Sequence, residues 1–194
     1  ASALAGFVAA PAPGMTVLEV CAAPGIKTGH LAEMMGGVGR IYSMDFSERR
    51  LELWRGEMER LGVGIATPVL GDAKTRGAFP EVEADLVLVD PPCTGTGTFG
   101  RAPSGKWRIN RGSIGRMAGI QGRILNRCAD RVAGGGAIVY STCSVTVEEN
   151  EGVVEGFLGA HPGFRLVDAV PRLGLPGLRG QDGAQRLYPH LHRC

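Results

Sequence analysis

Short apolar runs alternate along this chain with segments in which apolar residues recur every three or four positions. The runs over residues 17–20, 84–90 and 136–141 are rich in Val, Ile and Leu, as is typical of strands covered on both faces of a parallel sheet. Two further strands are predicted over residues 40–45 and 66–70. The pattern therefore predicts a sheet of at least five buried strands.

Helical spacing fills the segments between these strands. Helices are predicted from about 27 to 35, from Ser47 as the N-cap to Gly62, from about 114 to 132 and from about 147 to 158. Strands that alternate with helices of this length predict the α/β fold class. We expect a doubly wound, mostly parallel, Rossmann-like sheet.

Length and composition agree with one globular domain. The chain has 194 residues, of which 44% are hydrophobic and 21% are charged. We expect one domain over residues 1–194. Residues 171–194 are rich in Gly, Pro and Arg and predict a loop with at most a short strand over 185–188, so we expect the final strands of the domain to be missing. No apolar run approaches the ~20 residues that a membrane span needs, and no membrane partner is expected.

The five cysteines have no paired spacing that would indicate a disulfide framework or a zinc site. A reducing, cytoplasmic setting and no bound metal are expected. Cys21 and Cys128 lie in apolar or helical surroundings and are predicted to be buried, inert thiols.

Cys93 and Cys143 each follow a predicted buried strand, in the segments Asp-Pro-Pro-Cys-Thr-Gly and Tyr-Ser-Thr-Cys-Ser. In open parallel sheets, ligands bind beyond the carboxyl ends of the strands, so both thiols are expected to face one crevice. Two thiols at one pocket suggest covalent chemistry. From the chemistry alone either thiol is a candidate nucleophile, and the alternative is that both are structural.

Three acids end successive predicted strands, namely Asp45, Asp72 and Asp90. The turn after the first strand is not a phosphate-binding loop, because Ile26 separates the glycine from the lysine and the upstream glycine is absent. The dinucleotide fingerprint is also missing. A single Asp here is often a turn former, but three at neighbouring strand ends indicate a nucleoside-sized site that can hold ribose hydroxyls.

Basic residues are concentrated after the Cys93 loop. The net charge is only +2, but eight basic residues and one acid lie between Arg101 and Arg131. This segment is either a polyanion-binding surface or a solvated helix face. Trp107, between Lys106 and Arg108, either stacks on an unpaired base or anchors the long loop in the core.

The motifs together resemble the Sun-type (Fmu-like) RNA cytosine carbon-5 methyltransferases over about residues 17–164. The resemblance is carried by VLEVCAAPGIKT at 17–28, Asp45, Asp72, DPPC at 90–93, KWR at 106–108, Gln121, YSTCS at 140–144 and ENE at 149–151. Two positions depart from the family pattern, which usually has a second glycine at Ile26 and Asp at Glu19.

The resemblance implies that S-adenosyl-L-methionine is the cofactor and that an unpaired or flipped cytosine of rRNA or tRNA is the substrate. The methionine end of the cofactor would lie against Cys21, Ala22, Ala23, Pro24, Gly25, Ile26 and Lys27. Asp45 would take the ribose and Asp72 would face the adenine amino group. Asp90 would sit between cofactor and base. A monomer is expected, and because no separate RNA-binding domain is seen, weak RNA binding is expected.

The resemblance also implies the catalytic roles. Cys143 would add to carbon 6 of the cytosine, and Cys93 would assist the later elimination. Asp90 would bind the N3/N4 edge of the base, and Lys27 would neutralise charge on it, unless Lys27 simply points to solvent. DNA cytosine methyltransferases instead use the Pro-Cys loop as nucleophile, so Cys93 remains the rival. A non-catalytic RNA-binding module and an amino-group methyltransferase are the other function classes, and Cys93 in place of an aromatic residue disfavours the latter.

Overall fold

A computed structural model describes residues 2–192, and within them the chain forms two compact units. We call residues 2–90 and 127–140 the sheet unit, and residues 91–126 and 141–192 the loop unit. The sheet unit contains α1 (Ser2–Ala9), β1 (Thr16–Val20), α2 (Ile26–Met34), β2 (Arg40–Asp45), α3 (Glu48–Leu61), β3 (Ala66–Leu70), β4 (Ala84–Val89) and β5 (Val132–Tyr140). The loop unit contains all but the end of α4 (Arg111–Cys128), and α5 (Glu151–Ala160), β6 (Leu175–Pro176), β7 (Gln185–Arg186) and α6 (Pro189–His192).

The sheet has five strands in the order β3-β2-β1-β4-β5, and every neighbouring pair is parallel. This arrangement confirms the predicted α/β fold. Of the three inner strands, β1 and β4 are the most buried, with Val17, Leu18, Leu88 and Val89 all at 0% exposure. Burial on both faces explains why these two strands are mostly apolar.

The start of β5 differs from the prediction. α4 ends at Cys128 and one short 3₁₀ turn follows, so that β5 begins at Val132 and not at Gly136. The first part of β5 is glycine-rich, and Gly135 adopts a φ of 82° beside a register shift between Ala84 and Leu86 of β4. Glycines carry no side chain to show the alternation of a strand, so the hydrophobic pattern cannot reveal this bulged segment.

The ends of two helices follow from local chemistry. Ser47 caps α3 as predicted, because its Oγ accepts a hydrogen bond of 3.4 Å from the amide of Arg50. Before α2, Gly25 has a φ of 108°, and a Cβ there would lie 2.9 Å from Met58 Cε and 3.0 Å from Trp54 Cδ1. Glycine is therefore required at this turn for both backbone angle and space.

The core of the sheet unit lies between the sheet and α2, where Val17, Leu31, Met35, Ile41 and Leu88 are buried. α1 packs against α2 at its edge. No helix among residues 2–192 is long and apolar enough to cross a membrane.

The loop unit is held together by polar contacts. α5 begins at Glu151, later than predicted, because Asn150 donates to the carbonyls of Ser144 and Thr146 over 3.1 and 2.7 Å and folds residues 144–150 into a loop. Near the chain end, β6 and β7 pair as an antiparallel hairpin. The buried Arg186 of β7 forms an ion pair with Glu151. The Gly- and Pro-rich segment is therefore packed on α5.

Candidate active site

The turn between β1 and α2 carries the residues that the resemblance assigns to the methionine end of the cofactor. Ala22 and Ala23 are buried, whereas Ile26 is 65% exposed. The Ala23 amide donates to Asp45 Oδ2 over 3.2 Å and ties the turn to the carboxyl end of β2. The structure therefore brings residues 21–27 and Asp45 together.

The prediction of two buried thiols is confirmed for Cys128, whereas Cys21 is only half-buried. Cys128 is 0% exposed, and burial raises its pKa. Cys21 is half-buried, because its φ of 66° takes it out of the regular alternation of β1. Burial, and secondarily the charge of Asp45, raise the pKa of the Cys21 thiol to about 12. The Cys21 thiol is therefore protonated at neutral pH.

Asp45 is buried and its carboxylate is engaged by neighbouring groups. It accepts a hydrogen bond from the Ser47 amide over 3.1 Å, and Arg50 Nη1 lies 3.0 Å from Asp45 Oδ2. The Arg50 side chain is 41% exposed, while that of Asp45 is 0% exposed. The Asp45 carboxylate is therefore shielded from solvent, with Arg50 as its charged partner. Arg50 is not among the predicted site residues, although it lies on the first turn of α3.

Lys27 and Asp90 form an ion pair in the sheet unit, with 2.5 Å between Lys27 Nζ and Asp90 Oδ2. The Lys27 side chain is only 16% exposed, which excludes the alternative that it points freely into solvent. Asp72 is different, since it accepts from the Lys74 amide over 2.9 Å and lies 3.2 Å from Lys74 Nζ. Slight burial opposes ionisation of Asp72, but these Lys74 contacts prevail and lower its pKa. Asp72 has the local contacts of a turn former.

Glu19 stabilises the turn between β1 and α2 through buried hydrogen bonds. This residue of β1 is buried and accepts from Thr28 Oγ1 over 2.5 Å and from Ser43 Oγ over 3.2 Å. Trp54 Nε1 in turn donates to Thr28 Oγ1 over 2.9 Å. Burial raises the pKa of Glu19 to about 7. The carboxyl group thus joins β1, β2 and α2 and indirectly α3.

Cys93 and Cys143 meet in the loop unit, where their Sγ atoms lie 2.8 Å apart. Cys143 is exposed and Cys93 is half-buried. The short distance between the sulfurs confirms the expectation that the two thiols lie at one place. The exposure of Cys143 excludes the alternative that both are buried structural thiols. Gly97 packs on the backbone of Cys143, because a Cβ there would be 2.8 Å from the Cys143 carbonyl oxygen.

The pKa of Cys93 is raised, first by its hydrogen bond with Cys143 and then by burial. Two thiolates cannot share this contact, because like charges at such a distance repel strongly. Loss of a proton from one sulfur is stabilised by the S–H of the other. The arrangement can therefore supply one thiolate together with one retained proton.

Glu149 connects the loops that carry the two thiols. It is 0% exposed, and its carboxylate accepts hydrogen bonds from the Thr94 amide at 2.9 Å and from the Thr94 hydroxyl, which belong to the residue after Cys93. It also accepts from Ser144 Oγ, the residue after Cys143, over 2.7 Å. One buried carboxylate therefore fixes both loops.

Two further donors complete the Glu149 site. Thr146 Oγ1 donates over 3.1 Å and Gln121 Nε2 over 2.9 Å. Gln121 Nε2 also donates to the Pro92 carbonyl over 2.9 Å, so α4 holds the Cys93 loop from a second side. Burial disfavours the charged form of Glu149, but these hydrogen bonds prevail and lower its pKa. In the sequence, Glu149 and Gln121 were recognisable only as motif residues, without a predicted role in the site.

The basic segment of the loop unit presents an aromatic ring to solvent. Trp107 is 82% exposed, which excludes the alternative that it anchors the long loop in the core. Lys106 Nζ lies 5.0 Å from the centre of the Trp107 ring. Lys106, Arg108 and Arg111 are exposed, and none of them forms an ion pair with any residue from 2 to 192. A flat ring flanked by unpaired cations suits a nucleic-acid contact.

The family model of the 16S rRNA methyltransferases RsmB/F matches residues 7–194. The chain belongs to this family. A probable ribosomal RNA small subunit methyltransferase B of Bacillus subtilis is 36% identical over 185 residues, which cover 93% of this chain and 41% of the relative. A 28S rRNA (cytosine-C(5))-methyltransferase of Drosophila melanogaster is 37% identical over 175 residues, covering 89% of this chain and 40% of that protein.

Solved structures agree with the family assignment. The crystal structure of NSun6 from Pyrococcus horikoshii with SFG, an analogue of S-adenosylmethionine, is 32% identical with a TM-score of 0.89. The match covers 98% of this chain and 48% of that one. The chain spans less than half of the length of these three relatives.

Proposed function

We propose that this chain is the catalytic part of an RNA methyltransferase that transfers a methyl group from S-adenosylmethionine to carbon 5 of cytosine. The observation that carries the proposal is the contact between Cys93 and Cys143, whose Sγ atoms are 2.8 Å apart. Methylation of carbon 5 needs one thiolate to attack and a second group to remove a proton. A thiol pair of this kind supplies both.

In the proposed reaction, the Cys143 thiolate forms a bond to carbon 6, and the electron pair of the C5–C6 double bond makes carbon 5 nucleophilic. When bound, S-adenosylmethionine would supply the methyl group to carbon 5, and as the bond from that methyl group to its sulfur breaks, the sulfur would leave as a neutral thioether. The carbon-5 proton then leaves to a base, the double bond forms again, and the bond from carbon 6 to Cys143 breaks. This last step regenerates the Cys143 thiolate.

The contact between the thiols supports the division of roles. While Cys143 is charged, its hydrogen bond with Cys93 raises the pKa of Cys93 and keeps it protonated. Once Cys143 is bonded to carbon 6 it carries no charge, so the largest cause of the raised pKa is removed. Cys93 can then release its own proton to solvent, and the resulting thiolate accepts the carbon-5 proton during the elimination. The greater exposure of Cys143 also supports its role as the attacking group.

The residues of the sheet unit fit the proposed cofactor. Asp45 is the last residue of β2 and Asp72 lies two residues after β3, positions from which carboxylates could bind the ribose and adenine groups. Phe46 and Leu70, at the same strand ends, are 60% and 58% exposed and offer apolar surface to an adenine ring. The chain's own methionine-end contacts would come from residues 21–27.

Lys27 and Asp90 are proposed to act on the base. Asp90 precedes the Cys93 loop in sequence, and its carboxylate is paired with Lys27. In the proposed complex Asp90 hydrogen-bonds the N3/N4 edge of the cytosine, and the Lys27 ammonium offsets the charge that the ring gains on addition. The tight pair keeps both groups oriented before substrate binds.

The proposed substrate is an unpaired or flipped cytosine of ribosomal RNA, as the names of the Bacillus and Drosophila relatives indicate. Transfer RNA, a monomeric state and a cytoplasmic location remain predictions from the sequence. Trp107 is available to stack on a neighbouring unpaired base, with Lys106 and Arg108 beside phosphates.

The proposal is tested by incubating the chain with small-subunit rRNA and S-adenosylmethionine and analysing the nucleosides by mass spectrometry. We expect 5-methylcytidine from the wild type and none from Cys143→Ser. Methylation of the exocyclic amino group would instead indicate an amino-group methyltransferase. Binding of RNA and cofactor without any methylated nucleoside would indicate a non-catalytic module.

A further inference from the structure

Three arginines converge on a cleft in the sheet unit, which we call the arginine cleft. It has a volume of about 220 Å³ and lies between the connection from β3 to β4 and the chain from the last turn of α4 to the start of β5. Its lining residues are Arg76, Gly77, Phe79, Arg127, Asp130 and Arg131. None of these residues has a role in the proposed reaction.

The charges of the arginine cleft are not balanced within the molecule. Among residues 2–192, neither Arg76 nor Arg127 nor Arg131 forms an ion pair, although Asp130 lies in the same lining. Three guanidinium groups around one small space repel each other, because each stays charged at any physiological pH. A bound anion would relieve that repulsion.

The arginine cleft is also partly preorganised. Arg127 Nε donates to the Lys74 carbonyl over 3.3 Å, which holds the guanidinium against the connection between β3 and β4. Phe79 is only 7% exposed, so it forms an apolar wall and offers no open ring face for a base to stack on. These features favour an anion that binds through its oxygens.

We propose that the arginine cleft binds phosphate groups of the RNA backbone. The proposal rests on the proposed function, since it takes RNA as the partner. Guanidinium groups match phosphate oxygens with paired N–H donors, and the absence of an exposed aromatic ring in the lining means that the contact reads the backbone and not the base sequence. The arginine cleft therefore contributes affinity without contributing sequence preference.

The test measures how the affinity of the 194-residue chain for a fluorescent single-stranded RNA depends on salt concentration. The variant is Arg76→Ala, Arg127→Ala and Arg131→Ala combined. For single-stranded RNA, each lost phosphate contact lowers the slope of log K against log salt by about 0.7, so the triple variant should lose about two units of slope. The same loss is expected with RNAs of different sequence.

A charge-matched control separates local contact from overall charge. It combines Arg40→Ala, Arg49→Ala and Arg165→Ala, three exposed arginines without ion pairs among the described residues. This control loses the same net charge and should change the slope by less than about half a unit. Equal losses of slope in the two triple variants would overturn the proposal.

Folding and catalysis are followed separately. Both triple variants should keep the wild-type melting temperature and cofactor affinity, and a triple Lys variant of the arginine cleft should keep most of the slope because its charges remain. If the triple Ala variant of the arginine cleft unfolds, the triple Lys variant tests the proposal instead. A wild-type salt slope with weakened RNA affinity supports phosphate contacts in the arginine cleft. RNA binding that is unchanged in both slope and affinity opposes them. Wild-type chain that binds RNA but methylates none of it would refute the proposed function alone. Absence of any RNA binding would refute both.

Discussion

Replacing Glu149 by Gln removes a single buried charge from the network that joins the two thiol loops. In the wild type the carboxylate accepts at least five hydrogen bonds, from the Thr94 amide and hydroxyl, Ser144, Thr146 and Gln121. An amide in its place has one oxygen to accept the two N–H donors. Its NH₂ group then faces three hydroxyls with two protons, so one hydroxyl loses its partner on Glu149.

The expected cost follows from these contacts. Hydrogen bonds to a charged group contribute about 1.5–3 kcal/mol and neutral ones about 0.5–1.5 kcal/mol, so each of the five weakens by about 1 kcal/mol. The hydroxyls rotate to accept from the new NH₂ group and recover part of this loss. We therefore expect Glu149→Gln to lower the free energy of unfolding by about 2–4 kcal/mol.

Two assays separate this effect from general destabilisation. Chemical denaturation measures the free energy of unfolding, and oxidation by diamide under native conditions measures how often the Cys93 and Cys143 sulfurs meet. Glu149→Gln should slow formation of the Cys93–Cys143 disulfide at least severalfold while the protein is still folded. Glu148→Gln removes the same charge from the adjacent exposed residue and should change neither quantity. Wild-type stability and oxidation rate in Glu149→Gln would refute the reasoning.

Three further predictions concern the proton, cofactor and RNA contacts. Folding raises the pKa of Glu19 from 4.5 to about 7, so the stabilising contribution of this group is complete below pH 4.5 and is lost as the pH rises through 7. In denaturation experiments, Glu19→Gln should therefore remove about 3 kcal/mol of the pH dependence of the free energy of unfolding. Asp45→Ala should weaken S-adenosylmethionine binding at least tenfold, about 1.4 kcal/mol, in calorimetry. Replacing Lys106, Arg108 and Arg111 together by Ala should lower the salt slope of RNA binding by about two units.

Each of these predictions has a result that contradicts it. An unchanged pH profile in Glu19→Gln would mean that this carboxyl group titrates normally in the folded protein. Wild-type cofactor affinity in both Asp45→Ala and Asp72→Ala would contradict the proposed position of the cofactor at the ends of β2 and β3. An unaltered salt slope in the triple variant of the basic loop would show that this segment is a solvated surface.

The elements with a strong local signal could be predicted from the sequence. β2 and β3 have the predicted bounds, since their apolar residues are bounded by turn signals, and Ser47 caps α3 because its hydroxyl is placed directly before helical spacing. The meeting of Cys93 and Cys143 was also predictable. Each thiol follows one of two apolar strands within four residues, and neighbouring parallel strands end at the same edge.

The contacts that depend on side chains far apart in sequence could not be predicted. The ion pair between Arg50 and Asp45 depends on the rotation of α3, and the arginine cleft joins Arg76 to residues fifty positions later. Glu149 carries no sign of its five donors in the sequence, because Ser and Thr near an acid are common in loops. Trp107 lies in a long loop without hydrophobic periodicity, so its exposure could not be predicted from the sequence.

The central claim is that Cys143 attacks the base and Cys93 releases it, and one denaturing gel tests it directly. Wild type, Cys143→Ala and Cys93→Ala are each incubated with labelled RNA and S-adenosylmethionine. Because Cys143 adds before the methyl group moves and Cys93 acts only afterwards, Cys93→Ala should accumulate a covalent RNA–protein species and Cys143→Ala should form none. A trapped species in Cys143→Ala, with none in Cys93→Ala, would contradict the account and make Cys93 the nucleophile.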